Sequence, residues 1–494
     1  MTEVDSRAAF QVPTSRRLYL LAAGLLLISA LLLRLVPIER RPFHADEGVQ
    51  AYQTWQLLRG DGYTYDPADK HGPFLYYAAA GIARISGWSP ATLDESRLRQ
   101  VPLLAGLGTL ALLAGLAARL GAAPALIGTA LLAAAPLAII YDTYFVQEAW
   151  FSFFTWALLC ALLRLRDRPT WPAALLVGLL AGLMQATKET SVLHFAALGV
   201  ALLATTPRRE LARLWPRWLA ALGTAVLIYV VFYSGGFKHW VGVIDGLRTY
   251  MGYAGRAATS AHTQPWYYYF QLLSPHTREG THWGEPLLLL AALAGAVFAF
   301  SRQASPAHRF VALFTLSLLG IYSVIPYKTP WLLLTPYAGL ALLAGLGLVH
   351  AANRVPARFR VAATIALCLC VLTGSLVRER DAVGRYASDD RNPYLYQPTS
   401  PQFPRLVARM HELAARTGRP LRVAVVSPDY AWPLPWYFRG EPSFGFFAVP
   451  PAQLSQYDLT LTDSRLPVLP AATAQPFGLR PNVLLWLDGP ATAP

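Results

Sequence analysis

The sequence predicts an α-helical protein that crosses a membrane about eleven times and carries a small α/β domain at its C-terminal end. Three observations predict this fold class. The chain of 494 residues is 54% hydrophobic and only 14% charged, far from the composition of an ordinary soluble protein. Its apolar residues are gathered into runs of membrane length. The links between these runs alternate between arginine-rich and arginine-poor.

The apolar runs define the predicted spans. The first run, 18–38, is too long for a signal peptide and lacks a small-residue cleavage site. We therefore expect a retained signal anchor, preceded by a cytoplasmic tail at 1–17. The other predicted spans are 97–119, 123–141, 145–164, 172–187, 190–206, 216–234, 285–301, 309–325, 331–351 and 361–377.

The charge of the links predicts the orientation. Four links are short and arginine-rich, which is typical of cytoplasmic loops. They are 164–169, 206–217, 301–309 and 352–360. The net charge of +14 is therefore interpreted as a topology signal, and no nucleic-acid partner is expected. The transmembrane domain, 18–377, then lies in the cytoplasmic (inner) membrane, with outer loops 39–96 and 235–284 and the region 378–494 on the outer side.

The first outer loop contains two predicted surface helices. The segment DEGVQAYQTWQLLRG (46–60) has apolar residues at helical spacing and ends in Gly60. The segment GPFLYYAAAGIARISG (72–87) is a second apolar helix, with about 14 residues between its stop signals, which is short for a span. If this helix did cross the membrane, the arginine-rich links downstream would lie outside, contrary to the rule that such links are cytoplasmic. We therefore do not count it as a span. Both helices suit the membrane surface.

The C-terminal region, 378–494, alternates predicted helix and strand. An amphipathic helix is expected at 400–418 and buried strands at 421–427, 457–463 and 482–488. This order predicts a small α/β domain outside the membrane. It contains no glycine-rich phosphate loop, so no nucleotide-type cofactor is expected there.

Lysine is rare, and each lysine lies at a predicted outer boundary. The four positions are Lys70, Lys188, Lys238 and Lys328. One explanation is a genome that encodes arginine in place of lysine, with four lysines left at arbitrary positions. The other is that compact ammonium groups bind a phosphate at the outer leaflet.

Acidic residues also gather at the predicted outer boundary, where charge burial requires a reason. The four groups are Asp46 with Glu47, Asp66 with Asp69, Asp142 with Glu148, and Glu189, which is expected to be neutralised by Lys188. Asp46 and Glu47 could simply cap a helix, which is worth about 0.3–1 kcal/mol. Their convergence on one side favours a site, either for a divalent cation or for general-base chemistry.

A cation, if one binds, would be Mg²⁺ or Mn²⁺, with His44 and Glu148 as candidate ligands. A lipid-borne phosphate would contact Lys328, Lys70 and His71, with Arg248 or Arg256 as a further partner. The residues expected to line the substrate pocket are Tyr65, Tyr268 and Trp331. An aromatic belt at the membrane interface is the alternative explanation for Trp331.

Several motifs carry a resemblance to a known family. They are RPFHADEG, YDPADKHGPFLYY, AHTQPWYYYFQLL, YKTPWL, SDDRNPYLYQ and DYAWPLPWYFRG. Together they resemble the flippase activity-associated membrane proteins of prokaryotes. That group is similar to the protein O-mannosyltransferase and aminoarabinose transferase branch of the GT-C glycosyltransferases, so the resemblance implies a GT-C-like transmembrane fold.

The resemblance implies an inverting transferase at the outer face of the membrane. It would move a sugar from a polyprenyl-phosphate donor to a glycan, lipid or protein acceptor. The acidic motif of the first loop becomes Asp46 and Glu47, with Asp46 as the base, and the acidic residue after the third span becomes Asp142. Lys70 and His71 become partners of the donor phosphate or of a metal.

Two other classes of function stay open. A transporter or flippase for lipid-linked sugars would have broken helices, charges at mid-membrane depth and repeated halves. In the sequence the charges cluster at boundaries and no internal repeat is found. An accessory factor whose outer domain binds envelope partners would leave the acidic cluster of the first loop unexplained.

Overall fold

The computed structural model describes residues 16–39, 41–67, 71–259, 262–467 and 471–489, with the side chains of 253–259 left undescribed. Its helices, in chain order, are α1 Arg16–Leu35, α2 Ala45–Arg59, α3 Phe74–Ile85, α4 Glu95–Gly115, α5 Ala117–Leu120, α6 Ala122–Ala133, α7 Pro136–Asp142, α8 Glu148–Asp167, α9 Trp171–Thr187, α10 Ser191–Thr205, α11 Arg208–Arg213, α12 Trp215–Tyr233, α13 Val241–Thr259, α14 Tyr268–Leu273, α15 Pro286–Ala299, α16 Pro306–Val324, α17 Leu334–Ala352, α18 Arg360–Glu379, α19 Phe403–Thr417 and α20 Leu434–Tyr437.

All eleven predicted spans are largely helical, and the chain is a multi-pass membrane protein. Among the described residues, seven helical segments are long and apolar enough to cross a membrane, and the pair α6–α7 forms an eighth if it is counted as one span. Helices α9, α10 and α15 are apolar but shorter. The expected surface helices are present as α2 and α3, and α2 ends at Gly60 in the left-handed conformation with a φ of 94°.

One predicted span is broken. The sequence predicts a continuous helix over 123–141, but the structure bends it by 67° between α6 and α7. The cause is Pro136, which occupies the first turn of α7. Proline has no N–H to donate to the preceding turn, so it starts a helix more readily than it continues one.

The centre of the bundle is α17, which is wholly buried together with the short 3₁₀ turn before it. It packs closely because glycines line its contacts with α15 and α6. A Cβ on Gly295 would lie 1.8 Å from the Leu343 carbonyl oxygen, and one on Gly345 would lie 2.4 Å from that of Pro124. Small residues of this kind let membrane helices approach each other closely.

The two ends of the bundle differ in their links. One end, here called the loop end, carries α2, α3, α13 and the links 143–147, 188–190 and 325–329, which contact one another. At the opposite end Arg119 pairs with Asp167, and Ser305 donates to the Arg119 carbonyl oxygen. The predicted separation of arginine-rich links from acidic ones therefore holds in three dimensions.

The strands are β1 His276–Arg278, β2 Thr281–Trp283, β3 Val423–Val426, β4 Phe444–Phe447, β5 Leu459–Asp463, β6 Gln475–Arg480 and β7 Val483–Asp488. Strands β1 and β2 form a small hairpin in the loop 235–284. The other five form one mixed sheet in the order β4-β3-β5-β7-β6, in which β3 pairs in parallel with both β4 and β5. The three predicted strands correspond to β3, β5 and β7, whereas β4 and β6 are not predicted from the sequence.

The α/β domain begins later than residue 378. Tyr386, Tyr394 and Leu395 are buried in the hydrophobic core of the bundle, while the core of the domain starts at Phe403 on α19. The reason is that α18 continues into a wide turn at Arg380–Arg385. The segment after that turn runs back across the loop end, so residues 380–399 belong to the bundle.

Candidate active site

Helix α2 begins with a capping box built by His44, Asp46 and Glu47. The Nδ1 atom of His44 accepts a hydrogen bond from the Asp46 N–H at 3.1 Å, and Glu47 Oε2 accepts one from the His44 N–H at 3.0 Å. Histidine thus replaces the usual serine or threonine at the N-cap. Its Nε2 donates to the carbonyl oxygen of Tyr396 at 2.9 Å, which ties the start of α2 to the segment after α18.

The Glu47 carboxylate is buried and fully engaged. Its Oε1 accepts from Arg99 Nε at 2.8 Å and from the Phe145 N–H at 3.0 Å, while Oε2 accepts from Arg99 Nη2 at 2.9 Å. Burial alone would raise the pKa of Glu47, but the Arg99 guanidinium outweighs burial and holds the pKa below its usual range. The sequence predicts a catalytic role for Glu47, but this geometry assigns it to holding α2, α4 and the link 143–147 together.

Asp46 differs from Glu47 because half of its side chain is exposed. The His44 ring lies beside it, with Nδ1 3.8 Å from Asp46 Oδ2. Burial raises the pKa of the Tyr327 and Tyr396 phenols, and the Asp46 charge raises it further. The Asp46 charge therefore acts on both phenols.

These side chains form one group, here called the Asp46 cluster: Asp46, His44, Tyr144, His262, Tyr327, Trp331 and Tyr396. The ring of His262 lies 4.7 Å from that of Tyr396 and 4.9 Å from that of Tyr327, measured between centroids. Trp331 lies 5.7 Å from Tyr396 and 6.3 Å from His44. Burial lowers the pKa of His262, an effect that the Asp46 charge opposes. The predicted pocket residue Trp331 therefore lies near His44, the N-cap residue of α2.

Lys328 lies next to the cluster but its ammonium group points to carbonyl oxygens. Its Nζ donates to Gln264 O at 3.2 Å and to Ile325 O, and the residue is buried. Its backbone N–H donates to His262 O at 3.0 Å. The backbone hydrogen bond of Lys328 thus holds His262 against Tyr327. To contact a phosphate, as the sequence predicts, the Lys328 ammonium group would have to leave the carbonyl oxygens of Gln264 and Ile325.

A second polar group surrounds Glu189. The His71 Nδ1 lies 3.1 Å from Glu189 Oε2, and Tyr65 donates to Glu189 Oε1 at 3.2 Å. Burial alone would raise the pKa of Glu189, but the hydrogen bond and charge of His71 hold it below its usual range. The Lys188 ammonium, which is expected to neutralise Glu189, pairs directly with Glu148, although its charge also contributes to the lowered pKa of Glu189. His71 and Tyr65 thus position Glu189 and α13 within this structure.

Asp142 is also paired. Its Oδ2 accepts a hydrogen bond from Arg34 Nε at 2.8 Å, with both side chains almost fully buried. Helix α4 leaves room for it at Gly106, where a Cβ would lie 2.2 Å from Asp142 Cγ. The sequence predicts a catalytic Asp142 and a cation ligand at Glu148, but both carboxylates are held in buried ion pairs.

The two predicted cation ligands do not fit a metal. Both ring nitrogens of His44 are used in hydrogen bonds, and Glu148 is occupied by Lys188. In the part of the chain that the structure describes, no three His, Cys, Asp or Glu side chains come close enough to hold an ion.

Three predicted site residues remain. Tyr268 begins α14, where its ring lies 5.2 Å from that of Tyr269, and burial raises its pKa to about 12. Lys70 lies outside the described residues. Arg256 lies on α13, but its side chain is also outside the described part.

Comparisons with known proteins bear on this architecture. A family model described as dolichyl-phosphate-mannose-protein mannosyltransferase matches residues 70–233, which is less than half of the chain. A structure of ArnT from Cupriavidus metallidurans in the apo state superposes with a TM-score of 0.62 at 16% identity, covering 95% of this chain and 98% of that one. The same protein bound to undecaprenyl phosphate gives a TM-score of 0.61 at 15% identity, with the same coverage of both chains.

The chain has the GT-C fold. An apo oligosaccharyltransferase from Archaeoglobus fulgidus agrees, with a TM-score of 0.58 at 13% identity over 90% of this chain and 66% of that one. A search of curated proteins finds no match. The resemblance to GT-C glycosyltransferases that the motifs imply is thus confirmed at the level of fold, while the narrower flippase-associated group stays a prediction.

Within this GT-C fold, the sequence analysis missed the arginines that pair with the acidic residues. Arg34 lies inside the first apolar run and Arg99 near the start of the second. A charge inside a membrane-length run is itself a signal, because it is costly there unless a partner is nearby. The signal would have identified Arg34, although not its partner Asp142.

Proposed function

We propose that the chain is a membrane glycosyltransferase of the inverting GT-C type, acting on a polyprenyl-phosphate-linked sugar at the outer face of the cytoplasmic membrane. The observation that carries the proposal is the contrast between Asp46 and its neighbours. Glu47, Asp142, Glu148 and Glu189 are buried and paired. Asp46 keeps an open carboxylate at the loop end, beside the His44 ring.

Asp46 is the residue that we assign as general base. Inversion needs one carboxylate to take the proton from the acceptor hydroxyl as it attacks the anomeric carbon, while the lipid phosphate leaves from the opposite face. The capping box and the Glu47–Arg99 pair hold the Asp46 carboxylate at the start of α2. Tyr327, Tyr396 and Trp331 supply flat apolar faces and hydroxyl groups of the kind that bind sugar rings.

The leaving phosphate needs positive charge. We assign this role to Lys70, Arg256 and His71, because the ammonium groups of Lys188 and Lys328 are engaged elsewhere. The undecaprenyl phosphate bound to ArnT in one of the superposed structures supports a polyprenyl-phosphate donor. A glycan, lipid or protein of the cell envelope is the proposed acceptor.

The proposed orientation has a cytoplasmic N-terminus and an outer α/β domain. Its support is the separation of the two ends of the bundle, with arginine-rich links at one end and the candidate site at the other. The proposal includes membrane lipid as the immediate surroundings and no nucleic acid. A divalent cation, Mg²⁺ or Mn²⁺, remains open for test, although His44 and Glu148 do not fit it.

A transporter or flippase for lipid-linked sugars is the second candidate. One observation favours it: the break between α6 and α7, beside the buried Arg34–Asp142 pair, is a feature that such proteins share. The Arg34–Asp142 ion pair carries no net charge, and both of its side chains are buried. The break therefore favours transport less strongly than the open carboxylate favours transfer.

A reconstitution experiment separates the two candidates. The purified chain is placed in vesicles with radiolabelled polyprenyl-phosphate sugars and cell-envelope acceptors. Label on the acceptor, with matching release of polyprenyl phosphate, supports the transferase. Label that crosses between leaflets without being consumed contradicts it and supports transport. Treatment with EDTA, followed by added Mg²⁺ or Mn²⁺, then decides whether a cation is needed.

A further inference from the structure

A polar cavity of about 510 Å³ lies at the loop end and is lined in part by Arg99, the partner of Glu47. Its walls come from the start of the first outer loop, the beginning of α4, the segment after α18, and Tyr437 of the α/β domain. A volume of this size is within the range that holds small ligands. No predicted site residue lines it.

One wall of the cavity carries a buried guanidinium that makes no direct ion pair with the described residues. Arg41 lines it and is 6% exposed. Its Nη2 donates to the Thr143 carbonyl oxygen, and its guanidinium stacks on the Tyr144 ring at 4.2 Å. Among the described residues Arg41 forms no ion pair, and its Nε has no hydrogen-bond partner. Burying a charge in this way is costly unless an acceptor compensates it.

The other charged residues of the lining are Arg99, which is paired with Glu47, Asp389, which is paired with Arg391, and Arg385, Glu39 and Glu95. Arg385 lies on the opposite wall, is exposed, and forms no ion pair within the part of the chain that the structure describes. Glu39 and Glu95 also line the cavity; the one described contact of Glu39 is a weak hydrogen bond from Ser96 at 3.4 Å. Arginines bind carboxylate or phosphate oxygens, and carboxylates accept hydrogen bonds from hydroxyl groups.

We propose that this cavity binds an acidic saccharide, with Arg41 and Arg385 on its anionic group and Glu39 and Glu95 on its ring hydroxyls. A uronic acid and a sugar phosphate share this chemistry. The site is distinct from the Asp46 cluster, because no member of that cluster lines the cavity. Since Arg41 also contacts Tyr144 of that cluster, the occupied cavity would be adjacent to the candidate active site without being part of it.

The test measures binding to the full chain in nanodiscs by saturation-transfer NMR, with galacturonate, glucose 1-phosphate and neutral glucose as probes. We expect both anionic probes to bind in preference to glucose. Arg385→Gln should weaken their binding at least about fivefold through loss of a charge-assisted contact. Ser388→Trp, which fills the cavity from its wall, should abolish it. Binding of glucose equal to that of the anions would overturn the proposal.

Two control variants test whether the binding is specific to this cavity. Arg302→Gln removes an exposed arginine from the link between α15 and α16, outside the cavity, and should leave binding unchanged. Asp46→Asn should also leave it unchanged, and loss of binding in this variant would place the ligand in the Asp46 cluster and overturn the proposal. Because binding is read without transfer, failure of this proposal and failure of the proposed enzymatic activity are distinguishable.

Discussion

Arg99 and Glu47 form a two-pronged ion pair with both side chains fully buried, joined by contacts of 2.8 Å and 2.9 Å. The pair fixes the start of α2 against α4, 52 residues along the chain. Removing one partner would leave an uncompensated buried charge, which typically costs about 3–5 kcal/mol. Glu47→Ala is therefore expected to lower the unfolding midpoint strongly.

The measurement for Glu47→Ala is thermal or denaturant unfolding in detergent, with Glu47→Ala/Arg99→Leu as the matched double variant. Removing both charges should restore much of the lost stability, because no charge is then left unpaired. A double variant no more stable than the single one would contradict this explanation.

The stability of the folded protein is predicted to depend on pH through Glu189. Its folded-state pKa lies below the ordinary value of 4.5, with burial opposing and His71 favouring the shift. A depressed carboxyl pKa contributes stability above its unfolded-state value, and the contribution is lost as pH falls through the folded-state pKa. The stability difference between wild type and Glu189→Gln should therefore be full above about pH 5 and shrink in more acidic solution. A difference that stays constant down to about pH 3 would show that the charge of Glu189 is not responsible.

Gly106 is predicted to be intolerant of any side chain. A Cβ there would meet the Asp142 carboxylate at 2.2 Å, whereas one on Gly115 of the same helix meets nothing within 4 Å. Gly106→Ala should displace Asp142 from Arg34 and cost on the order of 2–4 kcal/mol. Gly115→Ala should be neutral or slightly stabilising through helix propensity. Equal unfolding midpoints for the two variants would contradict the packing described here.

Contact between α2 and the α/β domain is predicted to depend on Gly48. A Cβ on this residue would lie 2.8 Å from Pro433 Cβ and 3.2 Å from Trp432 Cε3, while one on Gly81 of α3 is unobstructed. Gly48→Ala should separate the domain from the first loop and expose the segment near 400 to proteolysis. Gly81→Ala is the matched control. Limited proteolysis that cannot distinguish the two variants would show that the interface does not rest on this contact.

The sequence predicts the helices well because membrane-length apolar runs leave the backbone few other solutions. Even the break at Pro136 could be predicted from the missing N–H of proline. Strands β4 and β6 could not: both lie at the edges of the sheet, β4 is only four residues long, and β6 contains Pro476 and Gly478, residue types that are depleted in strands.

The partners of the site residues are harder to predict than their positions. Lys188 precedes Glu189 directly but pairs with Glu148, forty positions away. Glu189 is met by His71 from the first loop, 118 positions away. Adjacent residues in an extended link point in different directions, so sequence proximity does not identify ion pairs. What the sequence does identify is the group of charged residues that gathers at the loop end.

The most direct test of the account compares two aspartates at opposite ends of α2. Asp46 and Asp61 have similar side-chain exposure, 50% and 47%, but only Asp46 lies beside the His44 ring. The measurement is the rate of sugar transfer by the reconstituted protein under single-turnover conditions. We predict that Asp46→Asn lowers this rate about 10²–10⁴-fold, as expected for loss of a general base, while Asp61→Asn leaves it unchanged. An Asp46→Asn variant that is folded and transfers at the wild-type rate would contradict the account.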